Sequence, residues 1–259
     1  MVSVSNFGFG GANAHVILES HEVEPLKDSF RIADKMSRLV LMCGRTHDAV
    51  KHLFDWIQQN RSKVSRQFLA LINEISRQKK NKMRIRGAMI LHEDGHNEPA
   101  VQMQETSAER RPLYYVFTGM GSQWPAMAKS LMQCDLFANT ILHLSHVIQP
   151  YGIDLIKLLT SSEDELLKRP VGCFVSIVAV QIALVDLLKN IGMIPDGYLG
   201  HSIGEMGCAY VDGALTAEET LLVSYWRAKC TEDSVTDKGL MVAVGMSWDQ
   251  IKEKCPPGI

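Results

Sequence analysis

No two cysteines in this chain are spaced as C-x-x-C. Cys43, Cys134, Cys173, Cys208, Cys230 and Cys255 lie scattered, which argues against a disulfide framework or a zinc site and suits a reducing cytosol. An excess of charge is also missing: 27 Lys and Arg face 29 Asp and Glu, for a net charge of −2 and a pI near 6.5. Nothing global draws the chain to nucleic acid or to an anionic membrane. The N-terminus lacks a basic patch followed by an apolar core, so no secretory signal is read and a cytoplasmic location is expected. The most apolar run, Cys173 to Leu188, is interrupted by Ser176, Gln181 and Asp186. It falls short of the roughly 20 residues of a membrane span and reads as a buried helix of a soluble core. No nucleotide-binding fingerprint occurs.

What is present is a globular composition, 46% apolar and 22% charged over 259 residues, enough for one large domain or two smaller ones. Residues 1–20 read as two β-prone pieces around a glycine loop, and the polar stretch Glu22 to Asp28 with Pro25 reads as a linker. From Arg38 to about Leu91 the order is strand, helix, helix, strand. Val50, Leu53, Phe54 and Ile57 share one helical face, Phe68, Leu71, Ile72 and Ile75 another, and Met83 to Leu91 is a strand. From Pro112 to about Asp237, strands alternate with helices, beginning with the strand Leu113 to Phe117. Phe137, Ile141, Leu144 and Ile148 line one helix there, and a central helix around Val175 to Leu188 is apolar on nearly all sides. This alternation predicts an α/β fold with a mostly parallel sheet covered on both faces. Gly239 to Gly245 reads as a further strand, and Ser247 with Gln250 as a capping box for one more helix.

Chemistry enters at Gly200, His201, Ser202, Ile203 and Gly204, a G-x-S-x-G pattern between the apolar pair Tyr198 and Leu199 and a helix-forming stretch. A serine hydroxyl is a poor nucleophile in water. A tight strand-to-helix turn exposes it and supplies the backbone N–H of the following residue, Ile203, to a developing oxyanion. The flanking glycines allow so sharp a turn. Ser202 is expected at the carboxyl end of a strand, where open α/β sheets bind ligands. Arg227, on the helical stretch Thr216 to Cys230, suggests an anionic acyl group. Its alternative reading is a solvated or ion-paired side chain, with Glu218, Glu219, Glu232 and Asp233 at hand.

Three stretches in order carry a family resemblance: Phe-Thr-Gly-Met-Gly-Ser-Gln-Trp (Phe117 to Trp124), Leu-Gly-His-Ser-Ile-Gly-Glu (Leu199 to Glu205) and Ser-Tyr-Trp-Arg-Ala-Lys (Ser224 to Lys229). They resemble the acyltransferase domain of animal (type I) multifunctional fatty acid synthases, and matches of the animal type run from about Gly44 to Ile259. The resemblance implies a hydrolase-like α/β acyltransferase core. Ser202 would take a malonyl or acetyl group from acyl-CoA as an acyl-serine and pass it to the phosphopantetheine thiol of an acyl carrier protein, with no cofactor or metal in this segment. It implies that the Met120 N–H is the second oxyanion donor and that Arg227 holds the malonyl carboxylate. Met120 replaces a glutamine of many bacterial relatives, and its flexible thioether suits both acetyl and malonyl groups. Gln181, in the apolar helix, either faces the pocket or is an internally satisfied amide.

By the same resemblance, residues 1–20 are the C-terminal end of a ketosynthase domain, 21–111 a ketosynthase-acyltransferase linker, 112–238 the large acyltransferase subdomain and 239–259 the start of a ferredoxin-like small subdomain. The implied partners are acyl-CoA, an acyl carrier protein domain and the ketosynthase domain of the same parent chain. His15 is expected to be packed or hydrogen-bonded, not catalytic.

A general base is the missing piece. Of nine histidines none follows Ser202, and His201, its neighbour on the turn, is badly placed to take its proton. The resemblance puts that histidine beyond Ile259, so the 259-residue chain alone is expected to show little or no turnover. His92-Glu93-Asp94-Gly95-His96 matches H-E-x-x-H, but Asp94, Gly95 and Pro99 favour a turn, where the two histidines do not share a face. The basic run from Arg77 to Arg86 lacks interleaved aromatics and reads as a solvated loop. Two other functional readings stand beside acyl transfer. One is a serine esterase or thioesterase of the α/β-hydrolase type, against which Arg227 speaks, and the other is an inert segment of a degenerate synthase.

Overall fold

The computed structural model describes residues 1–8, 10–20, 37–61, 64–77, 83–92, 100–107, 109–163, 165–234 and 244–256. The linker read at Glu22 to Asp28, most of the H-E-x-x-H match, the middle of the basic run and most of the strand read at Gly239 to Gly245 lie outside them. The chain divides into two compact units, Met1–Gln104 and Glu105–Ile259.

In the first unit, β1 (Val2–Phe7) and β2 (Asn13–Leu18) form an antiparallel hairpin. Ser5 and His15 face each other across it, and the serine Oγ and His15 Nδ1 are 2.7 Å apart, so this histidine is hydrogen-bonded although exposed. Next come β3 (Arg38–Gly44), α1 (His47–Gln59), α2 (Arg66–Arg77), β4 (Ile85–Leu91) and β5 (Ala100–Glu105). They make a three-stranded sheet of order β3-β4-β5, with β3 and β4 antiparallel. Thr46 caps α1 by accepting from the Ala49 N–H, and Val50, Phe54 and Ile57 are buried against Val40, Ile85 and Met89. On α2 the apolar face is rotated from the expected one. Leu69 and Ile72 are buried and Leu71 is exposed, because Asn73 and Ser76 turn inward to bond the backbone of β3. The strand β5 has no clear signal in the sequence.

The second unit is built on β6 (Tyr114–Phe117) and β7 (Gly197–Gly200), parallel and in register with Phe117 opposite Gly200. Their starts are tied by Asp196, whose carboxylate accepts from Arg110 at 2.9 and 3.0 Å and from the Leu113 N–H at 2.7 Å. Around the strands lie α3 (Asp135–Ile148), α4 (Leu155–Thr160), α5 (Pro170–Asn190), α6 (Glu205–Asp212), α7 (Ala217–Ser234) and α8 (Trp248–Ile251). In α8 the predicted capping box is formed, the Ser247 N–H donating to Gln250 Oε1 at 3.0 Å. Phe137, Ile141, Leu144 and Ile148 of α3 are fully buried against Val175, Val178 and Ile182 of α5 and Leu221 of α7.

The central helix is longer than the apolar run suggests, because Pro170 starts it three residues earlier as a favourable first helical position. By length and composition α5 could cross a bilayer, but 72% of its most apolar window is buried inside its own unit. The polar Asp186 is accommodated by hydrogen bonds from Thr140 and Tyr210.

No side chain of its own caps α5. Glu232 of α7 does so instead, accepting from the Val171 N–H at 3.0 Å and from Arg169 Nη2 at 2.8 Å. Burial alone would raise the Glu232 carboxyl, but the amide and the guanidinium outweigh it and hold the group below the usual carboxylate range. Glu232→Ala is therefore expected to destabilise the chain by about 1–3 kcal/mol, the cost of an unpaired helix-start donor and a lost charged hydrogen bond. The sign of the pH dependence follows from the lowered folded value. The stabilisation is present above the unfolded value of about 4.3 and fades as pH falls through the folded one. Urea denaturation of both proteins at pH 7 and pH 3 should show a smaller gap at pH 3, and an equal gap at both would reject this role for the carboxylate.

Candidate active site

Ser202 sits two residues past the end of β7, on a single 3-10 turn (Ser202–Gly204) that leads into α6. Its φ is +57°, the left-handed region a side chain rarely adopts. Such a residue costs of order 1–3 kcal/mol and persists only where its surroundings hold it. Two backbone hydrogen bonds do so here. The His201 N–H donates to Phe117 O at 3.0 Å, tying the turn to the end of β6, and the Gly204 N–H donates to His201 O at 2.9 Å. The approach of the two strand ends is close enough to require glycine. A Cβ on Gly204 would stand 2.4 Å from Phe117 O, and one on Gly119 would stand 2.7 Å from His201 O and 3.1 Å from Ser202 Cβ.

The loop after β6 thus lies directly against the serine, and Met120 is the next residue, half-exposed. The loop is closed on itself by short bonds: Thr118 Oγ1 to Ser122 Oγ at 2.9 Å, Ser122 Oγ to Gly119 O at 2.8 Å, and the Gly121 N–H to Gln123 Oε1 at 2.9 Å. Two groups of α5 meet it. Gln181 Nε2 donates to Thr118 O at 2.9 Å, and the Gly121 N–H faces the buried Cys173 thiol. Burial raises that thiol above its ordinary value, and the amide offsets only part of the rise, so Cys173 stays protonated and unreactive.

Arg227 projects from α7 with its guanidinium 5.9 Å from the centre of the Phe174 ring on α5. Phe174 and Gln181 are seven residues apart on that helix and share a face. Each of the four acidic residues named from sequence as a partner for Arg227 is engaged elsewhere. Glu218 pairs with His143, Glu232 with Arg169, Asp233 with Lys229, and Glu219 accepts from the Thr216 N–H. Among the described residues Arg227 has no carboxylate partner, so its donors remain open to a ligand.

Ser202, Gly119 beside Met120, and Gln181 are therefore brought together, with Arg227 on the Phe174 end of the same α5 face. Ile203, the residue after the nucleophile, is fully buried, which fixes the turn from beneath. Among the described residues no histidine is hydrogen-bonded to Ser202. Phe174 and Thr118 were not singled out from sequence. Nothing local marks them, since their partners Arg227 and Gln181 lie 53 and 63 positions away. A separate cavity of ≈ 450 Å³, lined by His146, Gln149 and Asp154 among others, lies where α3 ends and α4 begins and contains none of these groups.

Residues 114–259 match the acyl transferase domain family, and residues 1–90 match the ketoacyl-synthetase C-terminal extension. The chain is 33% identical over 272 residues to the highly reducing polyketide synthase sphB of Aspergillus fumigatus, covering 100% of this chain and 10% of that protein. It is 30% identical over 278 residues to the lovastatin diketide synthase mokB of Monascus pilosus, covering 97% and 11%. The chain thus spans about a tenth of the length of these curated relatives. They are fungal polyketide synthases, whereas the motifs had pointed to an animal fatty acid synthase. Among solved structures, the acyl transferase domain of ZmaA is similar with a TM-score of 0.62 at 21% identity, over 76% of this chain and 49% of that one. The acyltransferase domain from module 8 of the salinomycin polyketide synthase gives 0.60 at 22%, over 76% and 51%. Both likenesses concern the fold, which is the α/β acyltransferase fold expected from the sequence.

Proposed function

This chain belongs to the acyl transferase domain family, and from that membership we propose that it loads acyl groups, malonyl above all, onto an acyl carrier protein within a multidomain synthase. Ser202 Oγ attacks the thioester carbon of an acyl-CoA, the carbon–sulfur bond breaks, and coenzyme A leaves as its thiol. The acyl-serine is then attacked by the phosphopantetheine thiol of the carrier, which restores the serine. No cofactor takes part. The N–H groups of Ile203 and Met120 receive the oxyanion of each tetrahedral intermediate, and losing one such donor typically costs about 2.7–4 kcal/mol. Arg227 grips the free carboxylate of a malonyl group with two parallel hydrogen bonds, which a lysine cannot match. The proton acceptor is a histidine outside the described site, as the family resemblance implies.

One observation carries the reading. Ser202 is held at a positive φ against the Gly119 turn, while the Arg227 guanidinium of α7, beside Phe174 of α5, has no carboxylate partner among the described residues. An esterase has use for the first arrangement but not the second. The test is the fate of the acyl group in the whole synthase. Malonyl should pass to an added pantetheine thiol much faster than to water, and equal or faster hydrolysis would favour the esterase reading.

The names of the curated relatives support a polyketide-making parent. The animal fatty acid synthase reading rests on the density of animal-type matches from about Gly44 to Ile259. Product analysis separates them, a saturated straight-chain acid supporting the second.

A further inference from the structure

We propose that Gln181 is a positioning residue for acyl transfer, holding the 118–121 loop so that the Met120 N–H faces the acyl oxygen at Ser202. The inference rests on the function proposed above and adds a residue to it.

Gln181 lies in a helix whose other inward groups are almost all apolar, and it is only 8% exposed. Its Nε2 donates to Thr118 O at 2.9 Å, while its Oε1 is buried with no hydrogen-bond partner. An unpaired buried acceptor is destabilising, and a methionine or leucine would fill the same slot without it. What the amide adds is the one bond it makes. The amide cannot be turned the other way, because Oε1 would then face the Thr118 carbonyl and two acceptors would meet.

The position of that bond gives it consequence. Thr118 follows the last residue of β6 and precedes Gly119, whose Cα lies against His201 and Ser202. A peptide is planar, so fixing the Thr118 carbonyl fixes the plane that ends at the Gly119 Cα, and the next plane, which carries the Met120 N–H, turns about that anchored Cα against His201 and Ser202. The bonds among Thr118, Gly119, Gly121, Ser122 and Gln123 give the loop its shape but do not orient it. Among the described residues, two other side-chain contacts reach from the loop to the rest of the unit, and both lie past Met120: the Gly121 N–H faces the Cys173 thiol, and Gln123 Nε2 to Leu167 O is long at 3.4 Å. Gln181 holds the end beside the nucleophile. Its effect falls on the oxyanion and not on the acyl tail, so it should be felt equally by acetyl and malonyl groups.

The test compares wild type, Gln181→Met and Gln181→Glu in the whole synthase, following acyl loading of Ser202 from malonyl-CoA and from acetyl-CoA. Gln181→Met should lower kcat roughly tenfold or more for both donors, since small misplacements of a catalytic donor cost up to about 100-fold. Its KM should stay within about twofold, and its melting temperature should be equal or higher. A kcat near wild type in the folded variant, or a raised KM with kcat intact, would overturn the inference. Gln181→Glu supplies a readout that does not depend on comparing folded fractions. A protonated carboxyl can donate to Thr118 O and a carboxylate repels it, so the activity ratio to wild type should rise as pH falls. A flat ratio overturns the inference even if Gln181→Met fails to fold. If wild type itself leaves Ser202 unacylated, the proposed function fails too. If wild type loads and both variants match it, only the role of Gln181 fails.

Discussion

Ser202→Ala is expected to abolish acyl-enzyme formation while leaving the fold in place. Removing the nucleophile of a serine enzyme costs on the order of 10⁶ in kcat, and the site offers no substitute. Cys173 is buried with its thiol raised and protonated, and no other hydroxyl shares the turn. The stability effect should run the other way for a second variant. At a φ of +57° a Cβ is strained by about 1–2 kcal/mol, and glycine removes it. Ser202→Gly should therefore be as inactive as the alanine variant yet melt at a higher temperature than wild type. Labelling with radioactive malonyl-CoA together with thermal unfolding of the three proteins checks both statements. Retained label in Ser202→Ala would remove this residue from the mechanism.

Arg227→Ala should weaken malonyl loading by about 1.5–3 kcal/mol, the worth of a charged hydrogen bond, or roughly 10- to 150-fold. Acetyl loading should change little, because an acetyl group offers no carboxylate. The argument rests on what surrounds the guanidinium. Its four acidic neighbours in sequence are all committed elsewhere, and the Phe174 ring supports one side of it. Arg227→Lys should recover only part of the loss, since an ammonium cannot form the paired contact. Measured in the complete synthase with both donors, an equal loss of acetyl and malonyl transfer would refute the selective role.

The elements were legible wherever a short-range period or a local cap decides them. Val50, Phe54 and Ile57 fall on one face because a helix repeats every 3.6 residues, and Ser247 with Gln250 closes a box across one turn. The turn at Ser202 was legible because flanking glycines are needed where two strand ends meet so closely. The rest depends on which distant groups meet. Leu71 reads as core until Asn73 and Ser76 are seen to turn inward toward β3. Glu232 and Asp233 read equally well as partners of Arg227, and only the packing of α7 on α5 sends the first to the start of that helix and leaves the second to Lys229. Gln181 shows the limit most clearly. Its spacing marks it as buried, but its recipient is a carbonyl 63 residues earlier. The kind of parent synthase is not written in the site at all, since the same serine, loop and arginine would serve a fatty acid or a polyketide.

The central claim is that the Ser202 hydroxyl carries the acyl group between two thiols. Peptide-resolved mass spectrometry of the whole synthase, quenched after brief exposure to malonyl-CoA, tests it most directly. A malonyl ester on the peptide containing Ser202, cleared when pantetheine-bearing carrier protein is added, is the expected result. Malonyl on any other residue, or an ester on Ser202 that the carrier leaves untouched, would contradict it.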